Sequence, residues 1–191
     1  MTENTSIKPR SQWGAFAIRV RRYFGDYGGW KAVLGSPFFG VSFLLAAVSY
    51  SWWLSGAWAD TAIAVIPNLL GFSLGTYALL FSLMSSNMKR ALKALRNSRG
   101  VTYLDEVNAT FLHFIFCQVA ALLWAFCYKQ TVITDLAAVI AKRWPCDLDL
   151  HPAVSAVIGF FGLLLFLYSV LLAVAASMAV YRLARIVDPS T

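Results

Sequence analysis

Residues 153–181 read AVSAVIGFFGLLLFLYSVLLAVAASMAVY, an apolar run with no Asp, Glu, Lys or Arg from end to end. A helix needs about twenty such residues to cross the ~30 Å hydrocarbon core of a bilayer, and this stretch exceeds that length. His151-Pro152 immediately before it is a good helix start, because proline fits the first turn.

Three further runs of the same kind lie upstream, at about 37–54, 62–84 and 109–128. The first opens at Pro37-Phe38-Phe39-Gly40 and closes at Trp52-Trp53-Leu54. Only Ser55 to Asp60 separates it from the second, which leaves room for a tight reversal and nothing more. The whole chain of 191 residues is 59% hydrophobic and 13% charged, with a mean hydropathy of +0.64. Four greasy runs in so short a chain leave no polar shell to cover them, so lipid is the expected solvent. The expected fold is an all-α integral membrane protein: a four-transmembrane-helix bundle in one domain spanning 37–186. A cytoplasmic segment, 1–36, precedes it and a short tail, 187–191, follows. Met1 to Arg10 is polar and lacks the apolar core of a secretory signal, so the full chain is expected to persist.

Cytoplasmic flanks of spans carry an excess of Lys and Arg. Six precede the first run (Lys8, Arg10, Arg19, Arg21, Arg22, Lys31), five separate the second from the third (Lys89, Arg90, Lys93, Arg96, Arg99), and two follow the fourth (Arg182, Arg185). Only Lys129, Lys142 and Arg143 fall elsewhere. Both termini and the central loop are therefore expected in the cytoplasm, and 129–152 outside it. The setting expected from this pattern is a multi-pass protein of an inner or plasma membrane, of the bacterial cytoplasmic type. Trp52, Trp53, Trp58, Trp124, Trp144 and Tyr128 concentrate toward the outer boundary, and Trp13, Tyr23 and Trp30 toward the inner one. They read as interfacial belts.

Shorter segments carry their own periodicity. Trp13, Phe16, Ala17, Val20 and Phe24 recur at helical spacing while Arg19, Arg21 and Arg22 stand elsewhere, which predicts an amphipathic helix lying in the headgroup region. Val132, Ile133, Leu136, Val139 and Ile140 predict a second amphipathic helix over the outer mouth. In the central loop Met88, Leu92 and Leu95 continue an apolar face, so the second helix is expected to extend into the cytoplasm. Gly100 then stops it, and Thr102-Tyr103-Leu104-Asp105 starts the third. Together these predict a protruding basic hairpin.

Two seams of small or polar residues stand out. Asn68, Gly71, Gly75, Ala78, Ser82 and Ser85 alternate at three and four residues, and Gly71 to Gly75 is a GxxxG pair. Ser155, Gly159, Gly162, Ser169, Ala173 and Ala176 repeat the rhythm, interrupted only by Phe166. Between helices in lipid, apolar burial supplies no drive, so close backbone approach through small residues must supply packing. One reading has the two seams facing each other within the chain. The other puts one seam on the axis of a homo-oligomer, where Asn68, Ser73, Thr76 and Ser82 would line a polar path.

Inside the runs the only ionisable side chain of the usual switching kind is His113, with Cys117 one turn on and Gln118 beside it. An intramembrane histidine is a functional candidate, although one this near the span boundary also reads as a packing histidine bonded to a neighbour. His113 and Cys117 would be half a metal site with nothing to complete it, so no metal and no cofactor are expected. Cys127 and Cys146 lie on one predicted side, where a disulfide would tie down the outer loop. No nucleophile elbow, HExxH or phosphate loop occurs, and Asp147 and Asp149 have no catalytic companion, so no catalytic residues and no enzyme activity are expected. The absence of Asp, Glu, Lys or Arg from every span disfavours an ion-coupled transporter.

The expected function is a homo-oligomeric channel or pore-type protein. The alternative is a non-catalytic anchor or accessory subunit whose basic face (Arg19, Arg21, Arg22, Lys89, Arg90, Lys93, Arg96, Arg99) meets anionic lipids or a cytoplasmic protein partner. The formal charge of +7 sits beside apolar runs, so no specific nucleic-acid binding is expected.

Overall fold

A computed structural model describes residues 11–132, 135, 139 and 151–187 of the chain, and they are helical apart from turns and one isolated bridge. Among the described residues eight helices are delimited in order: α1 (Gln12–Tyr27), α2 (Gly29–Leu34), α3 (Pro37–Val48), α4 (Tyr50–Ser55), α5 (Ala57–Leu83), α6 (Ser86–Ala94), α7 (Tyr103–Lys129) and α8 (His151–Val187). Three of these, α5, α7 and α8, are long and apolar enough to cross a membrane.

The first apolar run is not one continuous helix. It stops at Val48, Ser49 takes a non-helical conformation (φ −90°, ψ 44°), and α4 resumes for six residues. The twelve residues of α3 rise only about 18 Å at 1.5 Å each, short of the hydrocarbon thickness. A side chain seven residues on bonds back to a carbonyl just before the break. The Trp53 indole donates to the Ala46 carbonyl at 3.1 Å.

The extension of the second helix is also corrected. α5 ends at Leu83, Met84 is extended, and the Ser85 hydroxyl accepts from the Met88 amide at 3.2 Å to start α6 as a separate helix. Leu92 of α6 is buried with Met84, Leu104 and Leu183, so the basic hairpin folds against the base of the bundle and does not protrude. The turn beyond it is as read: Gly100 has φ 79°, Arg96 bridges Thr102, and the Thr102 hydroxyl accepts from the Asp105 amide at 3.2 Å to open α7.

α7 is the centre of the bundle, packed against α5, α8 and α1, while α8 also carries α3 and α4 along its length. One core cluster gathers Ala46, Trp58, Ala62, Ile66, Ala121 and Leu163, and a second gathers Val107, Phe111, Phe114, Tyr168 and Leu172. Trp58, expected at the interface, is 0% exposed and belongs to the first cluster. Large apolar side chains such as Phe72, Leu79, Leu83, Leu123 and Phe161 point outward, as suits helices solvated by hydrocarbon.

The helix read over residues 13–27 is present as α1, capped at its start by Ser11 and ended by Gly28 in the left-handed region (φ 113°). Its first turns expose Trp13 (82%), Phe16 and Ile18, whereas its last turn is packed on α7 through Tyr23 against Phe116 (ring centroids 5.1 Å apart). Ile133, Leu136, Ile140 and Cys146 lie outside the described residues, and with them the outer amphipathic helix and the Cys127–Cys146 pairing.

Candidate functional site

The two small-residue seams do not meet. On α5 the inward face is Trp58, Ala62, Ile66 and Ser73, so Asn68, Gly71, Gly75, Ala78 and Ser82 are turned away from the bundle and exposed. A Cβ added at Gly71 or Gly75 would meet no atom within 4 Å. The Asn68 amide makes only a long bond to the Ala64 carbonyl, 3.4 Å away. Ser85, the last position of the series, is the cap of α6.

The α8 seam is the reverse. Gly159, Gly162, Ser169 and Ala176 are buried, and Ser155 and Ala173 are half-buried. A Cβ on Gly159 would run into the Trp53 carbonyl, and one on Gly162 into the Trp58 indole. The two glycines let α4 and the start of α5 lie directly on α8, the close approach that small residues permit in lipid.

His113 is 5% exposed and forms part of a polar cluster assembled from three helices. Its Nε2 lies 3.1 Å from the Tyr168 hydroxyl of α8 and 3.6 Å from Cys117 Sγ, while the Tyr27 ring of α1 stacks on the imidazole with centroids 4.0 Å apart. Burial raises the Tyr27 hydroxyl above its ordinary pKa, so it stays protonated. His113 Nδ1 has no hydrogen-bond partner among the described residues. Gln118 faces α5 instead: its side-chain oxygen accepts from Ser73 Oγ at 3.2 Å, and Ser73 also reaches the Leu69 carbonyl at 2.6 Å. The three residues read as one polar site thus serve two contacts on different faces of α7. Among the described residues no group of three or more His, Cys, Asp or Glu is placed to hold a metal ion.

Tyr27 and Tyr168 escaped the sequence reading, and Ser73, read as lining a polar path between copies, is instead buried inside the protomer against Gln118. The signal for Tyr168 was present, since a tyrosine in mid-span has a hydroxyl that must find a partner. Tyr168→Phe should therefore lower stability by about 1 kcal/mol, read as a fall in the thermal midpoint of the purified protein. An unchanged midpoint would show that the pair contributes nothing.

The basic face divides. Arg19, Arg21 and Arg22 on α1 and Arg90 and Lys93 on α6 are exposed, with Lys89 half-buried. Arg96 and Arg99 have local partners. Arg96 donates to the Gly100 carbonyl at 2.7 Å, and Arg99 donates to the Tyr27 carbonyl at 2.7 Å while lying 3.6 Å from Glu106. Arg99 thereby ties the central turn to the end of α1. At the opposite end of the bundle Lys129 pairs with Asp60 at 2.7 Å, joining the end of α7 to the start of α5.

No family model matches the chain, and neither the curated proteins nor the solved structures contain a match.

Proposed function

We propose that the chain is a homo-oligomeric membrane protein of channel or pore type, whose copies meet through the outward seam of α5. In this reading α3 and α4 form a fourth, broken crossing, about 27 Å long from their twelve and six residues. Both termini lie in the cytoplasm, in a bacterial inner or plasma membrane.

The observation that carries the reading is the exposure of Asn68, Gly71, Gly75 and Ser82 on a helix otherwise clothed in Phe72, Leu74, Leu79 and Leu83. Hydrocarbon offers the Asn68 amide no hydrogen bond and offers the glycines no close contact. A second copy offers both, and polar groups gathered around a shared axis give water and ions a path. The test is ion flux into liposomes holding the purified protein. Wild type should conduct, and Gly75→Leu and Ser82→Leu should lose most of the flux; stable oligomers that pass no ions would remove the channel reading.

A second reading is favoured by the exposed cations on α1 and α6, two short helices at the bundle base. There the helices serve as an anchor, and the basic face holds anionic lipid or an acidic cytoplasmic partner. Replacing Lys89, Arg90 and Lys93 with Gln should weaken capture of anionic nanodiscs by about 3 kcal/mol, roughly 1 per residue. High salt should mimic the change, since it screens exposed charges. Unaltered capture would remove the lipid-contact role.

A further inference from the structure

A cavity of about 370 Å³ opens at the end of the bundle where α7 begins and α8 runs out. It combines two chemistries. Phe38, Val107, Ala175 and Ala179 form an apolar wall, and Asn97, Tyr103, Glu106 and Arg182 bring polar groups to it. Tyr103 is the first residue of α7 and Arg182 lies in the penultimate turn of α8, so both stand at the same end as the basic turn.

The charges there are unequally answered. Glu106 accepts from the Asn97 amide at 3.0 Å and faces the Arg99 guanidinium at 3.6 Å, so its negative charge has partners within the protein. Arg182 makes no hydrogen bond or ion pair among the described residues. Arg182 is exposed at the rim, so its guanidinium is free to take an anion, and the apolar wall beside it suits a ligand with an anionic head and a hydrocarbon body. Guanidinium suits phosphate oxygens by its planar pair of donors, and the volume falls within the usual range for ligand sites.

We infer that this cavity holds the headgroup of an anionic phospholipid, with its phosphate on Arg182 and its first acyl carbons along Phe38, Val107 and Ala175. The site differs from the exposed basic face in being walled on several sides by α1, α3, α7 and α8, so it selects one lipid molecule and does not merely attract a charged surface. It stands whether or not the chain conducts ions.

Native mass spectrometry of the full chain, released from detergent in the presence of phosphatidylglycerol, reads the site directly. Wild type should retain one lipid per protomer, and phosphatidylcholine should be retained less. Arg182→Gln should lower retention by about tenfold or more, the worth of a charge-assisted hydrogen bond to phosphate. Arg185→Gln, one turn further along and outside the cavity, should not. Ala179→Trp, which fills the space without touching a charge, should abolish retention; thermal unfolding of each variant checks folding, and the headgroup comparison on wild type needs no variant at all. Excess inorganic phosphate should fail to displace the lipid. The inference is overturned by equal losses in Arg182→Gln and Arg185→Gln, by indifference to headgroup, or by full displacement with inorganic phosphate, which would mark a site for a soluble phosphate.

Discussion

Gly159→Leu should leave little folded protomer. Gly159 is buried where α4 crosses α8, and the first carbon of any side chain would strike the Trp53 carbonyl, a backbone atom that cannot swing aside. Overpacking a dense interior costs about 1–3 kcal/mol when side chains can move, and more when the obstacle is backbone. Against a total stability of about 5–15 kcal/mol this is a large fraction. Gly162→Leu should behave similarly, because the Trp58 indole it would displace is 0% exposed. Thermal unfolding in detergent, with the yield of monodisperse protein, measures both. Wild-type midpoints would mean that α4 and α5 do not lie on α8 as described.

The same substitution at Gly75 should do the opposite. Nothing lies within 4 Å of a Cβ there, so Gly75→Leu should leave the thermal midpoint of the protomer near that of wild type. Its effect should fall on association: the particle mass in nanodiscs should drop from that of an oligomer toward that of one chain. Alternating three- and four-residue spacing places the seam at a shallow, left-handed crossing, where one leucine holds two backbones apart. A mass unchanged from wild type would separate the seam from assembly.

The contrast between these glycines marks how far sequence reading reaches. Periodicity put each seam on one helix face, although Ser85 proves to lie beyond α5 as the cap of α6, and spacing cannot say which neighbour a face meets. The α8 seam is filled by Trp53 and Trp58, which the sequence offered as interfacial aromatics, and the α5 seam is left outward. Local signals with local causes were readable: Trp13 to Tyr27 as an amphipathic helix, Gly100 as a stop, Thr102 to Asp105 as a start. The break at Ser49 was not, because a serine in an apolar run is no obstacle to a helix, and the bond across it comes from Trp53, seven residues beyond Ala46. The separation of α6 from α5 was missed for a related reason. Met88 and Leu92 kept the apolar phase across Met84, and the capping role of Ser85 was hidden by its place in the seam. The polar cluster needed three elements at once, Tyr27 from α1, His113 from α7 and Tyr168 from α8, and no single segment announces such a meeting.

Disulfide scanning along α5 in native membranes, on a chain whose own cysteines are replaced, tests most directly whether this helix joins one copy to the next. Cysteine at Asn68, Gly71, Gly75, Ala78 or Ser82 should give covalent dimers on oxidation, while cysteine at Ala62, Ile66 or Ser73 should give none. Dimers from the inward positions, or monomers throughout, would contradict the account.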